Sequence, residues 1–201
     1  MNVYENVKKS ESIDDVIIAV DDEETVKELK KWKVKTAMTD STHHSGTDRV
    51  HEVSKDKNAD VIVNVQADEP FLDHTLIDML IDEFDDTSIE MATIAGKELS
   101  ANQLHDSNTV KVLLDNDRFA LAFRRIPIDM ESGGYYHHAG IYAYRQDILD
   151  KFTSLKPSAN EVKYKLEQLR AIDKGISIKV ALTDRVNRGI VTLEDLNEMK
   201  K

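Results

Sequence analysis

Two short polar segments follow apolar runs in this chain, and both hold residue types that can bind anions or metal ions. The first is HHSGTDR, residues 43–49, which follows a predicted strand and begins a predicted helix. Exposed backbone amides at such a junction form a natural site for a phosphate group or a nucleotide. An ordinary loop whose Ser or Thr caps the helix explains the same residues, and the spacing alone favours that plainer interpretation.

The second segment is QADEP, residues 66–70, at the carboxyl end of the clearest predicted strand. Ligands of open α/β sheets bind at that edge. A carboxylate placed there can hold Mg²⁺ against phosphate oxygens, because Mg²⁺ combines one or two protein carboxylates with phosphates and water. A turn ended by Pro70, with Asp68 bonding nearby amides, explains the segment equally well.

Three further side chains, His138, Glu167 and Gln168, are candidate polar ligands in the second half of the chain. The plainer interpretation is a structural histidine in a strand and a solvated helix face for the other two. Ser, His and Asp also occur together, but no nucleophile elbow accompanies them. Hydrolase chemistry therefore has little support.

The composition limits the classes of function. The 201 residues carry a formal net charge of −11, with 40% hydrophobic and 32% charged residues, which is typical of a folded globular protein. Such an acidic chain argues against binding to nucleic acid or anionic membranes, and an anionic nucleotide would need a cation or local basic groups. The chain holds no cysteine, which excludes disulfides and fits a reducing cytoplasm. We expect neither a membrane span nor a signal peptide.

The candidate segments need a scaffold, and the hydrophobic periodicity predicts one. In the first half, β-branched runs alternate with helical patterns, which predicts a parallel sheet with right-handed crossovers. The predicted strands are Asp15–Val20, Val34–Met38 and Asp60–Gln66. The predicted helices are Asn2–Ser10, two that begin near Asp22 and Thr47, and Asp73–Phe84.

The second half predicts an antiparallel insertion. Two apolar runs flank the turn-rich residues 115–118, which is typical of a hairpin. The predicted strands are Thr109–Leu114, Phe119–Phe123, His138–Tyr144 and Ile176–Leu182. One long helix is predicted from about Ala159 to Lys174, where Gly175 supplies a left-handed end, and a last helix begins at Thr192.

In their order along the chain, these segments resemble the 3-deoxy-manno-octulosonate (KDO) cytidylyltransferases. The matching segments include VYENVKKS, IDDVIIAVDDEETV, HHSGTDR, VIVNVQADEP, VKVLLD, HAGIYAYR, KLEQLR and TLEDL. HxSGTDR and VNVQxDEP at this spacing are far more specific than either loop alone. The resemblance implies an α/β fold like that of the nucleotide-diphospho-sugar transferases, a Rossmann-like mixed sheet flanked by helices, in one domain over residues 1–201.

The resemblance also implies an activity. It is the transfer of CMP from CTP to KDO or a related acidic sugar, with release of pyrophosphate, in the synthesis of a lipopolysaccharide precursor. By the same likeness, Asp68 is the catalytic residue and the ligand of Mg²⁺. The nucleotide side would be lined by Ser45, Gly46, Arg49 and Gln66, and the sugar side by His138, Glu167 and Gln168. Catalysis of such a transfer is mainly positioning and stabilisation of phosphate charge. We also expect a homodimer.

Several positions depart from the family pattern. Met1 falls within the helix that follows the family's first strand, so we expect this chain to lack that strand and its triphosphate-binding loop. Val191 stands where the family has a second metal-binding Asp, and Met130 where a sugar-binding Arg is expected. Ala67 and His44 replace a Gly and a Gln. We therefore expect very little CMP-KDO synthesis from this chain alone. The alternatives are a non-catalytic homologue that binds CMP or a partner, and a regulatory subunit of an intact synthetase.

The strand that we expect to be absent would lie between the strands at Asp15–Val20 and Asp60–Gln66. Unpaired strand edges are prone to association, and each buried hydrogen bond left unmade costs about 1–3 kcal/mol. We therefore expect the chain to close the gap. A backbone ladder would join Val16–Val20 to Val61–Val65, or join one of them to a strand of another subunit.

Overall fold

The computed structural model describes residues 1–70, 72–127 and 134–184, together with Val186. Within these residues there are eight strands: β1 (Ile18–Val20), β2 (Thr36–Met38), β3 (Val61–Asn64), β4 (Met91–Gly96), β5 (Lys111–Leu114), β6 (Ala120–Arg124), β7 (Tyr135–Arg145) and β8 (Ile178–Thr183). The described α-helices are α1 (Asn2–Val7), α2 (Glu23–Lys30), α3 (Gly46–Ser54), α4 (His74–Asp82), α5 (Ala101–His105), α6 (Gln146–Ser154), α7 (Ala159–Tyr164) and α8 (Leu169–Asp173).

The long strand β7 organises the larger sheet. Its strand order is β6-β5-β7-β4-β8, with β3 also paired to β7, and β1 and β2 form a separate parallel pair. One edge of β7 pairs with β4 along most of its length. The other edge is shared, because β5 pairs with residues 135–137 and β3 pairs with residues 142–145. The mixed α/β sheet predicted from the sequence is confirmed.

The sheet is irregular where β3 and β5 part. Thr93 of β4 lies opposite Tyr142, but the next residue, Ile94, lies opposite Ala139. Gly140 and Ile141 are therefore extra residues in β7, and they bulge at the point where its other edge changes partner. Bulges of this kind occur often beside active sites, because they redirect side chains and end strand pairing.

Helices bury both faces of this sheet. β4 is buried at all six residues, as expected of a strand covered on both sides. On one face it packs with Leu149 and Phe152 of α6, and on the other with Ile77 and Leu80 of α4. Burying one such side chain contributes roughly 1.5–3 kcal/mol to folding.

Most predicted elements are present, with shorter bounds. The strand Asp60–Gln66 is β3, and the helix Asp73–Phe84 is α4 followed by a 3-10 turn at Glu83–Asp85. The predicted hairpin is the antiparallel pair β5–β6. Helix α2 begins as expected at Asp22, whose carboxylate accepts a hydrogen bond of 2.7 Å from the amide of Thr25. Gly175 is left-handed, with φ of +73°.

The single long helix from Ala159 to Lys174 is wrong. The chain leaves the helix at Lys165, which has φ 53° and ψ 50° and separates α7 from α8. The break improves packing, because Leu166 and Leu169 then enter the core. It also brings Glu167 within reach of α3, where its carboxylate accepts a hydrogen bond from the Thr47 hydroxyl.

The predicted ladder between Val16–Val20 and Val61–Val65 is also wrong. Among the described strands, β1 pairs with β2, and β3 runs antiparallel to β7 instead of extending a parallel sheet. Helix α3 packs against both β1 and β3 without bringing them into register. Several residues of these short strands are only partly buried, so water can reach them and the expected cost of unmade hydrogen bonds is reduced. Pairing with a strand of another subunit stays a prediction.

Three sequence predictions lie outside the described residues. They are the roles considered for Met130 and Val191 and the helix expected from Thr192. Within the part of the chain that is described, every helix is too short or too polar to cross a lipid bilayer.

Candidate functional site

A cavity of about 420 Å³ opens where β3 and β5 part along the edge of β7. Its wall is formed by the end of β3, the start of α3, the bulged part of β7 and the turn between α7 and α8. Six of the eight predicted site residues line it: Gly46, Gln66, Asp68, His138, Glu167 and Gln168. Segments far apart in the sequence therefore meet in one place.

The other two predicted residues, Ser45 and Arg49, do not line the cavity. Ser45 caps α3, and its hydroxyl accepts a hydrogen bond of 3.2 Å from the amide of Asp48. The Arg49 guanidinium pairs with Asp21 at 2.5 Å and donates to the hydroxyl of Thr39 at 3.0 Å. Arg49 thus ties together the carboxyl ends of β1 and β2, and its role toward a nucleotide stays a prediction.

Two neighbouring carboxyl groups follow β3. Asp68 is exposed, whereas Glu69 is partly buried. Burial, together with the charge of Asp68, raises the pKa of Glu69 to about 7. The described residues hold no group of three or more His, Cys, Asp or Glu side chains that could form a metal site on its own. A single exposed carboxylate fits a cation such as Mg²⁺, which takes its remaining ligands from phosphates and water.

The raised pKa of Glu69 predicts a pH dependence of stability. The folded state holds the Glu69 proton up to about pH 7, whereas an ordinary glutamate loses it near pH 4.5, so the free energy of unfolding falls as pH rises between these values. Glu69→Gln removes this loss. In metal-free buffer we expect the variant to be more stable than the parent by about 1–3 kcal/mol at pH 8, and equal to it below pH 4.5.

Urea denaturation at several pH values, with a chelator present, measures this difference. Glu11→Gln is the matched control, because it removes an exposed carboxylate that does not line the cavity. A difference between Glu69→Gln and the parent that stays constant from pH 4 to pH 8 would contradict the prediction.

His138 is buried in β7, with its ring edge-on to Phe123 at 4.9 Å between centroids. Its Nε2 lies 3.0 Å from both the hydroxyl of Thr93 and that of Tyr142. Burial, helped by His137, lowers the pKa of His138 to about 3. The imidazole is therefore neutral at physiological pH, and it can serve a ligand as a fixed hydrogen-bonding group but not as a cation.

A chain of hydrogen bonds crosses the floor of the cavity from β3 to the turn before α8. The Gln66 amide donates to Asn64 Oδ1 at 2.8 Å, and the Asn64 amide donates to Thr47 Oγ1 at 3.2 Å. The Thr47 hydroxyl donates to Glu167 Oε2 at 2.6 Å. The other oxygen, Glu167 Oε1, is buried without a hydrogen-bond partner among the described residues. It lies 3.9 Å from the Arg170 guanidinium, which pairs with Glu161 at 2.6 Å.

Two basic side chains also border the cavity, those of Arg125 and Lys165. The Arg125 guanidinium donates to the backbone carbonyls of Ser107 at 3.0 Å and of Lys165 at 3.3 Å. In a chain of net charge −11, these side chains supply local positive charge for an anionic ligand.

A family model described as cytidylyltransferase matches residues 1–178. The chain belongs to the cytidylyltransferase family. The resemblance stated from the sequence motifs is thereby confirmed, and membership is consistent with a divalent metal cofactor.

Two relatives of this cytidylyltransferase share a name. The 3-deoxy-manno-octulosonate cytidylyltransferase of Lawsonia intracellularis is 38% identical over 202 residues, which cover 96% of this chain and 79% of the relative. The enzyme of the same name from Thermodesulfovibrio yellowstonii is 36% identical over 219 residues, covering 100% and 86%.

Solved structures agree with the fold of this cytidylyltransferase. A CMP:2-keto-3-deoxy-manno-octonic acid synthetase complexed with CTP matches with a TM-score of 0.92 and 32% identity, over 99% of this chain and 84% of that chain. The 4-diphosphocytidyl-2C-methyl-D-erythritol synthase of Anaerococcus prevotii matches with a TM-score of 0.64 at 15% identity, which shows a shared fold.

Several residues of the cytidylyltransferase cavity were assigned no role from the sequence. Thr47 and Asn64 lie within motifs that were singled out, but no role was assigned to them. The signal was available for Asn64, which is a buried amide in an otherwise apolar strand. Nothing in the sequence pattern marked Arg125 or Lys165, because they reach the cavity only through the parting of β5 from β3 and the break of the helix at Lys165.

Proposed function

We propose that this chain transfers CMP from CTP to KDO or a closely related acidic eight-carbon sugar, with release of pyrophosphate. One observation carries the proposal: the fold brings Gly46, Gln66, Asp68, His138 and the Glu167–Gln168 pair into a single cavity. Those are the residues to which the family likeness assigns nucleotide, metal and sugar roles. The relatives described above are named for this reaction, which favours the enzyme over a non-catalytic homologue.

The reaction requires no covalent intermediate on the protein. The anomeric hydroxyl of the sugar attacks the α-phosphorus of CTP, the bond from that phosphorus to the oxygen bridging to the β-phosphate breaks, and the hydroxyl proton is lost to solvent. The protein must hold the two substrates in line and offset the phosphate charge. Arg125 and Lys165 lie where they can attract the anionic sugar, and neutral His138 and Gln168 can bond its hydroxyl groups.

We further propose that Mg²⁺ is the cation and that Asp68 holds it. When bound, Mg²⁺ neutralises phosphate charge and orients the triphosphate. Asp68 suits this role because its carboxylate is exposed at the carboxyl end of β3 and borders the cavity. Glu69, the next residue, also lines the cavity and can supply a further oxygen ligand.

Pyrophosphate release tests the proposal directly. The assay contains the chain with CTP, KDO and Mg²⁺, and parallel mixtures omit each in turn. We expect release that needs all three, at a low rate, because Val191 takes the place of the family's second metal-binding Asp. Asp68→Asn should lower that rate by about 100-fold or more, since it removes the charge that holds the cation.

Asp60→Asn is the matched control, because Asp60 is an exposed carboxylate at the opposite end of the same strand. Equal rates for Asp68→Asn and the parent would show that Asp68 has no part in catalysis. CTP binding without any release would support the non-catalytic homologue, and release only after addition of an intact synthetase would support the regulatory subunit. A CTP affinity that is the same with Mg²⁺ and with a chelator would contradict the role of the metal.

The remaining proposals concern the assembly and its setting. We propose that residues 1–201 form one cytidylyltransferase domain, that the protein is a homodimer and that it works in the cytoplasm. The absence of cysteine supports the last point, because structural disulfides are common outside the cytoplasm. The exposed apolar side chains of Leu121 on β6 and Val162 on α7 support the dimer, since such groups are often covered by a partner.

A further inference from the structure

The hydrogen-bond chain across the cavity floor has a fixed direction. It ends on Glu167, whose carboxylate lies 3.9 Å from the guanidinium of Arg170 and can only accept hydrogen bonds when ionised. The Thr47 hydroxyl has one proton, and the 2.6 Å bond commits it to Glu167 Oε2. Thr47 Oγ1 is then available to its other neighbour only as an acceptor.

The same constraint fixes the next two hydrogen bonds, which involve residues at the end of β3. Because Thr47 Oγ1 must accept, Asn64 turns its amide nitrogen toward it, at 3.2 Å. That orientation leaves Asn64 Oδ1 for the next contact, where it accepts from Gln66 Nε2 at 2.8 Å. Asn64 and Thr47 are both almost completely buried, each with 2% exposure, so water does not compete for these bonds.

The last group in the chain is therefore also oriented. One of the two hydrogens on Gln66 Nε2 is committed to Asn64, which fixes the orientation of the carboxamide, and the atom that this chain of bonds does not use is Gln66 Oε1, an acceptor. The start of α3 restrains the same carboxamide from another side. A Cβ atom added to Gly46 would lie 3.0 Å from both Gln66 Nε2 and Gln66 Oε1, so the two groups are in close contact.

We propose that Thr47 and Asn64 are positioning residues that fix Gln66 as a hydrogen-bond acceptor toward the nucleotide. The site then selects a ligand with a hydrogen-bond donor at that point. In CTP, the donors are the ribose hydroxyl groups and the amine of the base. The proposal rests on the proposed function only for the identity of the ligand, since the direction of the bonds is a property of the free protein.

The free protein provides the first test. Side-chain amide NMR measures how fast the Gln66 amide protons exchange with water in the parent, Thr47→Val and Thr47→Ser. Valine has the shape of threonine without the hydroxyl, so Asn64 loses its acceptor and can reverse. We expect exchange of the Gln66 protons to rise by about fivefold or more in Thr47→Val, and to stay near the parental rate in Thr47→Ser.

Two further variants make this test specific. Thr153→Val is the matched control, because among the described residues the Thr153 hydroxyl bonds carbonyls of its own helix alone, at 3.0 and 3.3 Å. Glu167→Gln keeps the shape of Glu167 but can donate as well as accept. The hydrogen bonds between Gln66 and residue 167 are then no longer held in one direction, so exchange of the Gln66 protons should also rise. Equal Gln66 exchange rates in Thr47→Val, Glu167→Gln and the parent would overturn the proposal.

The second test uses ligands. Calorimetry compares CTP with 2′-deoxy-CTP and 3′-deoxy-CTP, each of which lacks one ribose hydroxyl, and with UTP, which carries an oxygen in place of the amine. We expect the parent to bind one of these analogues about tenfold or more weakly than CTP, and this analogue identifies the donor. In Thr47→Val that ratio should fall to about twofold, because a free carboxamide can present either end.

A purely structural role for Thr47 would weaken the binding of all four ligands equally and leave the ratio unchanged, which would overturn the proposal. A parent protein that does not distinguish the ligands would overturn it as well. If the parent binds no CTP at all, the proposed function fails and so does the choice of a nucleotide. The exchange rates of the Gln66 amide then decide by themselves whether the directed chain of hydrogen bonds exists.

Discussion

Arg170→Met is expected to lower the free energy of unfolding by about 3–5 kcal/mol. The Arg170 side chain is 7% exposed and forms a two-pronged pair with Glu161, at 2.8 and 2.6 Å. Glu161 is itself 13% exposed and also accepts from the amide of Ser158 at the start of α7. Removing the guanidinium leaves the buried carboxylate without its counter-charge, which is the costly way to break such a pair.

Urea denaturation of three variants separates this cost from a general loss of charge. Lys35→Met is the matched control, because it breaks a pair with Asp15 whose side chains are 66% and 46% exposed, and such pairs contribute about 0–1 kcal/mol. The double variant Glu161→Gln with Arg170→Met should recover part of the loss. Equal effects of Arg170→Met and Lys35→Met would show that the buried pair contributes no more to the free energy of unfolding than the exposed pair.

Phe152→Ala is expected to lower the free energy of unfolding by a similar amount, about 3–5 kcal/mol. Phe152 is 1% exposed in the core between α6 and the sheet, and its ring centroid lies 6.1 Å from that of Tyr144. The Arg170 guanidinium lies over the same ring at 4.8 Å. Alanine therefore leaves a cavity and removes the aromatic face that the cation covers.

Thermal and urea denaturation measure this loss, with Trp32→Ala as the control because Trp32 is an aromatic side chain that is 61% exposed. Phe152→Leu should cost clearly less than Phe152→Ala, since it fills most of the space. Combining Phe152→Leu with Arg170→Met should be less damaging than the sum of the two, because both changes remove the same contact. Strict additivity would show that the stacked arginine and the ring act independently.

Periodicity predicts those elements whose side chains show one clear face. β3 and α4 were found because an apolar strand and an amphipathic helix have distinct patterns. β4 was not predicted as a strand, since its six residues MATIAG are all buried and show no alternation. The break at Lys165 contains no Gly or Pro, so no local sequence signal predicted it. It depends on tertiary contacts, namely the entry of Leu166 into the core and the Glu161–Arg170 pair.

The candidate site was likewise only partly predictable from the sequence. The family likeness named Gln66, Asp68 and His138, and the structure brings these three together in one cavity. The cavity itself could not be inferred from the sequence, because it arises from the change of partner along one edge of β7. Thr47 was missed for a related reason. Its hydroxyl has a role only once α3 faces the turn before α8, 120 positions further along the chain.

The pairing of β7 also has a consequence for the way the protein is made. β3, β4 and β5 all precede β7 in the chain, and each has β7 as a neighbour. About 80 residues separate the end of β3 from the end of β7, which corresponds to roughly 4–16 s of synthesis. During that interval β3, β4 and β5 leave the ribosome without β7, and β4 also lacks β8, its neighbour on the other edge. Pairing of β4 on both edges, and with it closure of the sheet, must wait for Thr183 at the end of β8, and this delay concentrates the risk of misfolding in the newly made first half.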